Sequence, residues 1–152
     1  MGVTMDTTHL LVTDLEVDTA LADQGVPPAI RAVWQLIWES EVGLDEVLAF
    51  DVPDAELDDR LVVIRHAKEG GVLEAGVTVS AANVLRELIG ARTEGPLFTV
   101  DGRRLTKTAA AAAFRKASGG RTIHALRFTR QMKARRPARL SAGAGQPEEK
   151  SA

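Results

Sequence analysis

Apolar residues recur at the three- and four-residue spacing of amphipathic helices in several segments of the chain. The first segment begins at Pro28, shortly after Gly25, and the second carries Leu44, Val47 and Leu48 and ends before Pro53. Three more helices are predicted to begin at a hydroxyl residue that can cap them: Ser80 to Ile89, Thr106 to Ala117, and Thr122 towards Ala134.

A different pattern lies between the second and third of these helices. Leu61–His66 is rich in β-branched residues and predicts a strand, and Val72–Val79 predicts its partner across a turn at residues 68–71. Leu97 and Phe98 predict a short buried segment. The order of elements is helix, helix, hairpin, helix, helix, helix. The predicted fold class is therefore mainly α with a small antiparallel β-sheet or hairpin.

A length of 152 residues suits one domain. Residues 1–26 lack a clear period up to the first helix, so they are predicted to form a poorly ordered N-terminal arm. Residues 27–136 form the predicted domain. Residues 137–152 are rich in Gly, Ser, Ala and Glu and are predicted to be a disordered tail.

The charged residues are segregated along the sequence. Residues 1–60 contain 14 acidic and 2 basic side chains, whereas residues 61–152 contain 7 acidic and 17 basic ones. Such segregation can mark a nucleic-acid face. The alternative is that the two halves neutralise each other across the fold, and the sequence leaves both interpretations open.

The composition excludes several kinds of chemistry. The chain contains no cysteine, which excludes disulfides and thiolate metal sites, and its 3 histidines lack metal-ligand spacing. No cofactor and no metal site are therefore predicted. No apolar run approaches the ~18 residues that a membrane span requires, so no membrane partner is predicted. We expect a cytoplasmic location.

His124 and Arg127 are the first candidates for a functional site. They are three residues apart in the first turn after Thr122, so they share one helix face near free backbone N–H groups that favour an anion. An imidazole and a guanidinium there predict a phosphate clamp. The alternative is a structural histidine that packs on Phe128, with Arg127 in solvent. Lys68, at the hairpin tip, is a second candidate or an ordinary solvated lysine.

The order of parts resembles the catalytic domain of tyrosine recombinases, the phage-integrase family, over residues 27–133. Five segments resemble that family in sequence order: Trp34–Glu39, Asp45–Val52, Val63–Gly71, Gly95–Phe98 and Thr122–Thr129. The resemblance implies a DNA breaking and rejoining fold in which Lys68, His124 and Arg127 are catalytic positions. It also implies that the hairpin tip at Lys68 faces the start of the helix that bears His124.

The departures from the family concern its chemistry. In the family a tyrosine attacks a backbone phosphate, two arginines stabilise the charge that develops there, and a lysine protonates the leaving oxygen. This chain contains no tyrosine, and Gly43 stands where the family has its first catalytic arginine, three residues before Glu46. Residues 1–26 are also too few for the family's separate N-terminal DNA-clamping domain, which we expect to be absent.

The sequence therefore predicts a truncated, degenerate recombinase of DNA integration and recombination, inactive alone, with vestigial catalytic residues Lys68, His124 and Arg127. Its predicted partner is the DNA backbone, bound with weak sequence preference. The predicted phosphate contacts are Arg103, Arg104, Lys107, Arg121 and Arg130. One alternative is a protein-interaction module that joins or regulates an active recombinase assembly. Another is that a partner subunit supplies the missing tyrosine.

Overall fold

The structure, a computed structural model, describes residues 11–40, 42–65 and 70–132. The helices in these ranges are α1 (Asp14–Leu21), α2 (Pro28–Glu39), α3 (Leu44–Leu48), α4 (Val79–Ile89), α5 (Lys107–Ala117) and α6 (residues 124–132). The strands are β1 (Ala55–Glu56), β2 (Leu61–Ile64), β3 (Leu73–Gly76), β4 (Thr99–Val100) and β5 (Arg103–Arg104). The described chain is mainly α with a small antiparallel sheet, which confirms the predicted fold class.

The helix starts follow the capping residues closely, with one correction. The hydroxyl of Thr106 accepts a bond from the N–H three residues later at 3.1 Å and begins α5 as predicted. The cap of α4 is Thr78, whose hydroxyl accepts the corresponding bond at 3.0 Å, so Ser80 is not the cap. Because α4 begins at Val79, the partner strand ends at Gly76, short of the predicted end.

The main sheet has three antiparallel strands in the order β1-β2-β3. β2 and β3 form the predicted hairpin, with Leu61 opposite Gly76 and Ile64 opposite Leu73. β1 was not predicted. The tip of the hairpin, including Lys68, lies outside the described residues.

β4 and β5 form a second, two-stranded sheet where the sequence predicted only a turn. Asp101 and Gly102 connect the strands with φ values of 55° and 78°. Two central residues with positive φ match the twist of a tight hairpin, and Asp-Gly favours that geometry.

The prediction of a poorly ordered N-terminal arm is wrong for residues 14–21, which form α1. A reciprocal capping box begins this helix. The Glu16 N–H donates to the Thr13 hydroxyl at 3.0 Å, and the Thr13 N–H donates to the Glu16 carboxylate at 2.9 Å. Val17 and Ala20 are buried and attach α1 to the core. Residues 1–10 of the predicted arm lie outside the described ranges, as does the predicted tail at 137–152.

Helix α2 lies at the centre of the fold and packs against α1, α3, α4 and α5. Its Trp34 is fully buried and meets Phe114 of α5 edge to face, with ring centroids 5.2 Å apart. The Trp34 indole N–H donates to the Ala110 carbonyl at 3.2 Å, so the one polar atom of this large side chain is satisfied. Leu97 and Phe98 are also buried, which confirms the predicted short buried segment.

Five ion pairs link described residues, and each joins a carboxylate from residues 1–60 to a basic side chain from residues 61–152. They are Glu16–Arg121 (3.0 Å), Asp45–Lys107 (3.0 Å), Asp51–Arg104, Asp54–Arg65 (2.5 Å) and Asp58–Arg86 (3.2 Å). At these contacts the acidic and basic halves neutralise each other, which was the second interpretation of the charge pattern.

Candidate functional site

His124 and Arg127 lie on the same side of α6, as the spacing predicts. The opposite side of this helix is buried through Ala125, Leu126 and Thr129. His124 is exposed and Arg127 is half-buried, so both side chains lie at the surface of the domain. Helical residues begin at 124, two residues after the predicted cap.

Both ends of the segment that carries the two residues are held by other parts of the chain. At its start, the Arg121 guanidinium donates to the Glu16 carboxylate through Nε at 3.1 Å and Nη2 at 3.0 Å. Further along α6, the Val12 N–H donates to the Thr129 hydroxyl at 3.0 Å, and Arg130 donates to the Trp38 carbonyl at 2.8 Å. These contacts fix α6 against α1 and the end of α2.

Two hydrogen bonds lower the pKa of the Glu16 carboxyl. The hydrogen bond from the Thr13 backbone N–H, and then that from the Arg121 side chain, hold the pKa of the Glu16 carboxyl below its ordinary value of 4.5. Both partners stabilise the ionised carboxylate, so Glu16 ties α1 to the start of α6 in its charged form.

A small cleft of about 210 Å³ opens where the starts of α3, α5 and α6 meet. Its lining residues are Gly43, Leu44, Asp45, Glu46, Lys107, His124 and Arg127. The fold therefore brings together the predicted pair on α6 and Lys107 of α5, a residue predicted separately as a phosphate contact.

Gly43 lies next to the guanidinium of Arg127. It precedes α3, and its N–H donates to the Glu46 carboxylate at 2.9 Å. A Cβ atom placed on Gly43 would lie 3.7 Å from Nη1 of Arg127 and 3.7 Å from Oε1 of Glu46. The position at which the resemblance expects an arginine is thus adjacent to the second arginine of the family pattern. The cleft contains one guanidinium where that pattern has two.

The cleft also carries negative charge. The carboxylate of Asp45 lies 3.0 Å from Nζ of Lys107, and the two side chains are 65% and 59% exposed. Glu46 adds a second carboxylate, which its bond to the Gly43 N–H keeps beside the start of α3. The formal charges of Lys107 and Arg127 are therefore balanced within the same cleft. Sequence reasoning quoted Asp45 and Glu46 only as part of a resemblance and assigned them no role.

The other predicted phosphate contacts are distributed differently. Arg104 donates to the carbonyls of Leu48 at 2.9 Å and Phe50 at 3.2 Å and is paired with Asp51. Arg103 is exposed on β5. Neither of these two arginines lines the cleft, and Arg121 and Arg130 have the intramolecular partners described above.

Within residues 11–40, 42–65 and 70–132, no group of three or more His, Asp or Glu side chains is arranged to hold a metal ion. In the same ranges, no helix is long and apolar enough to cross a membrane.

The fold is similar to that of a protein of known structure. No family model and no curated protein matches the sequence. The crystal structure of XerA recombinase matches the fold with a TM-score of 0.68 and 16% sequence identity, covering 88% of this chain and 52% of that chain. At this identity the match establishes the fold alone. The chain therefore has a recombinase-like fold and spans about half the length of the XerA recombinase chain.

Proposed function

We propose that this chain is a degenerate tyrosine-recombinase catalytic domain that binds the DNA backbone and does not cleave it alone. The observation that carries the proposal is the cleft in which Arg127, His124 and Lys107 converge. A recombinase-like fold is the context in which such a cleft would meet a phosphodiester, and DNA integration or recombination is the process we infer.

The chemistry of the cleft suits the phosphates of the DNA backbone. The planar guanidinium of Arg127 can donate two parallel hydrogen bonds to phosphate oxygens, and the ammonium of Lys107 adds a mobile point charge. His124 is exposed beside them and can donate a further bond. None of these groups reads a base edge there, so binding should depend little on sequence.

Cleavage by these residues alone is not expected. The 152 residues contain no tyrosine, so they offer no tyrosine oxygen to attack phosphorus and form the covalent intermediate. Gly43 also removes one donor to the transition state, and losing such a donor typically lowers a rate by about 10²–10³.

The proposal is tested by binding to short duplex DNA over a range of salt concentrations. Contacts from Arg103 and Arg127 would give a slope of log K against log salt of about −2, because each neutralised phosphate contributes about 0.9, and Lys107 would add to it only in complexes where its ion pair with Asp45 is broken. Arg127→Gln should flatten that slope by about one on every sequence tested. Arg60→Gln is the matched control, since Arg60 is exposed and does not line the cleft.

Binding that is indifferent to salt, or equal effects of the two substitutions, would refute the proposal. The same protein is then incubated with a suicide DNA substrate that traps covalent intermediates. We expect no protease-sensitive adduct, and an adduct above background would show that another side chain serves as nucleophile.

A protein-interaction module that joins an active recombinase assembly is a second candidate. Phe128 and Met132, four residues apart on α6, are 42% and 37% exposed. An exposed apolar pair beside the cleft can contribute to a protein contact. Co-sedimentation with an active recombinase, lost in a Phe128→Ser variant, would favour this function over DNA binding.

A further inference from the structure

Asp45 is one of two carboxylates in a cleft that also presents the cationic donors Lys107 and Arg127. Its Oδ1 atom lies 3.0 Å from Nζ of Lys107. We propose that Asp45 is a built-in competitor of the DNA phosphate, which holds Lys107 and limits how tightly the cleft binds the backbone. This inference rests on the proposed function and concerns the regulation of the same site.

The two carboxylates of the cleft have different structural roles. Glu46 accepts the Gly43 N–H at 2.9 Å, which closes the first turn of α3. Asp45 makes no such cap and instead reaches Lys107, the first residue of α5. Asp45 can therefore be neutralised without removing the bond that begins α3.

Asp45 differs from the other paired acidic residues in its location. Five carboxylates form ion pairs within the described ranges, and of these Asp45 alone lines the cleft with Arg127. A phosphate bound by Arg127 would meet a lysine already engaged by an anion. It would also lie near the negative charge of Asp45, which repels it.

The contact between Asp45 and Lys107 is weak enough to be displaced. Both side chains are more than half exposed, and exposed ion pairs between flexible side chains are weak and screened by salt. A phosphate can therefore replace Asp45 on Lys107, but only in those complexes in which this pair has been broken. The result is a lower affinity and a smaller number of phosphates neutralised.

Asp45→Asn tests the inference in the full chain, with short duplex DNA as the probe. Freeing Lys107 for one more phosphate should steepen the slope of log K against log salt by about 0.9. Lowering the salt concentration from 1 M to 0.1 M should then raise the affinity of the variant about eightfold more than it raises that of the wild type. Asp58→Asn is the matched control because it removes the same charge from another ion pair, with Asp58 96% exposed and outside the cleft.

Combining the change at Asp45 with Lys107→Gln tests whether Lys107 is the residue through which Asp45 acts. In a Lys107→Gln protein, the change at Asp45 should no longer steepen the slope. Equal slopes for Asp45→Asn and Asp58→Asn, or a gain that persists without Lys107, would overturn the inference. Asp45→Ser provides a second substitution, and circular dichroism verifies that each variant is folded.

The outcomes separate this inference from the proposed function. If Arg127→Gln flattens the salt slope while Asp45→Asn behaves like its control, the competitor role fails and backbone binding stands. If Arg127→Gln has no effect, backbone binding through this cleft fails. If neither the wild-type chain nor Asp45→Asn binds DNA, both fail.

Discussion

Replacing Gly43 with arginine should restore a second guanidinium to the cleft and strengthen DNA binding. The backbone of Gly43 has φ −93° and ψ 169°, an extended conformation that arginine adopts without strain. A Cβ atom there would meet its nearest neighbours at 3.7 Å, which is an ordinary contact distance. A side chain can therefore begin at this position, beside Arg127, without displacing backbone.

The substitution should lower stability while it raises affinity. Gly43 caps α3, and replacing a glycine cap with a residue that caps poorly costs about 1 kcal/mol. Two guanidiniums in one water-exposed cleft also repel each other, by roughly 1 kcal/mol if they approach to ~4 Å. A bound phosphate removes that repulsion, and one additional contact should steepen the salt slope by about 0.9.

Urea unfolding of the free protein and fluorescence anisotropy with labelled duplex DNA measure the two effects. Gly43→Gln is the matched control, because it replaces the same glycine at the start of α3 with a polar side chain that carries no charge. Equal salt slopes for the arginine and glutamine variants would refute the reasoning, since the guanidinium at this position would then neutralise no further phosphate. No covalent adduct is expected from either variant.

Two further predictions concern the contacts that hold the fold. Glu16→Gln should lower the free energy of unfolding by about 1 kcal/mol at pH 7 through the loss of the charge that pairs with Arg121, since glutamine can still accept the Thr13 N–H of the capping box. The folded-state pKa of Glu16 is lowered, so its contribution is present above the ordinary value of 4.5 and is lost as pH falls through the lowered pKa. Urea unfolding should thus show wild type and variant converging in acid, and a difference that stays constant with pH would contradict this. Trp34→Phe should cost about 2–3 kcal/mol in the same assay, because it leaves the buried Ala110 carbonyl without the indole donor and opens space beside Phe114. A loss no larger than that of an exposed substitution would show that the bond contributes nothing.

The sequence predicted the elements whose signals are local. The helix that begins at Pro28, the cap at Thr106 and the hairpin of β2 and β3 each follow from a short pattern of residue types. α1 was missed because it is short and buries only Val17 and Ala20, although its capping box was present in the sequence. The two-residue strands were missed because so few residues carry no period.

The site was predictable only as far as one helix extends. His124 and Arg127 share a face of α6 because their spacing fixes it. Their meeting with Lys107 and Asp45 depends on how α3, α5 and α6 pack, and no pattern along the chain encodes that packing. The sequence alone also could not decide what the charge segregation means, because the same pattern suits a DNA-binding face or neutralisation within the fold.

The ion pairs join the acidic residues 1–60 to the basic residues 61–152, as the two arms of a hairpin are joined. Four of the pairs are nested along the sequence: Glu16–Arg121 outermost, then Asp45–Lys107, then Asp51–Arg104, then Asp58–Arg86. In the unfolded chain each half repels itself and attracts the other, so Coulomb forces favour folding back about the middle before any side chain packs. Such attraction acts over about a Debye length and brings together residues that are distant in sequence, whose contacts are otherwise slow to form. The segregation of charge is thus a bias on the folding pathway, strongest in dilute salt, as well as a feature of the folded surface.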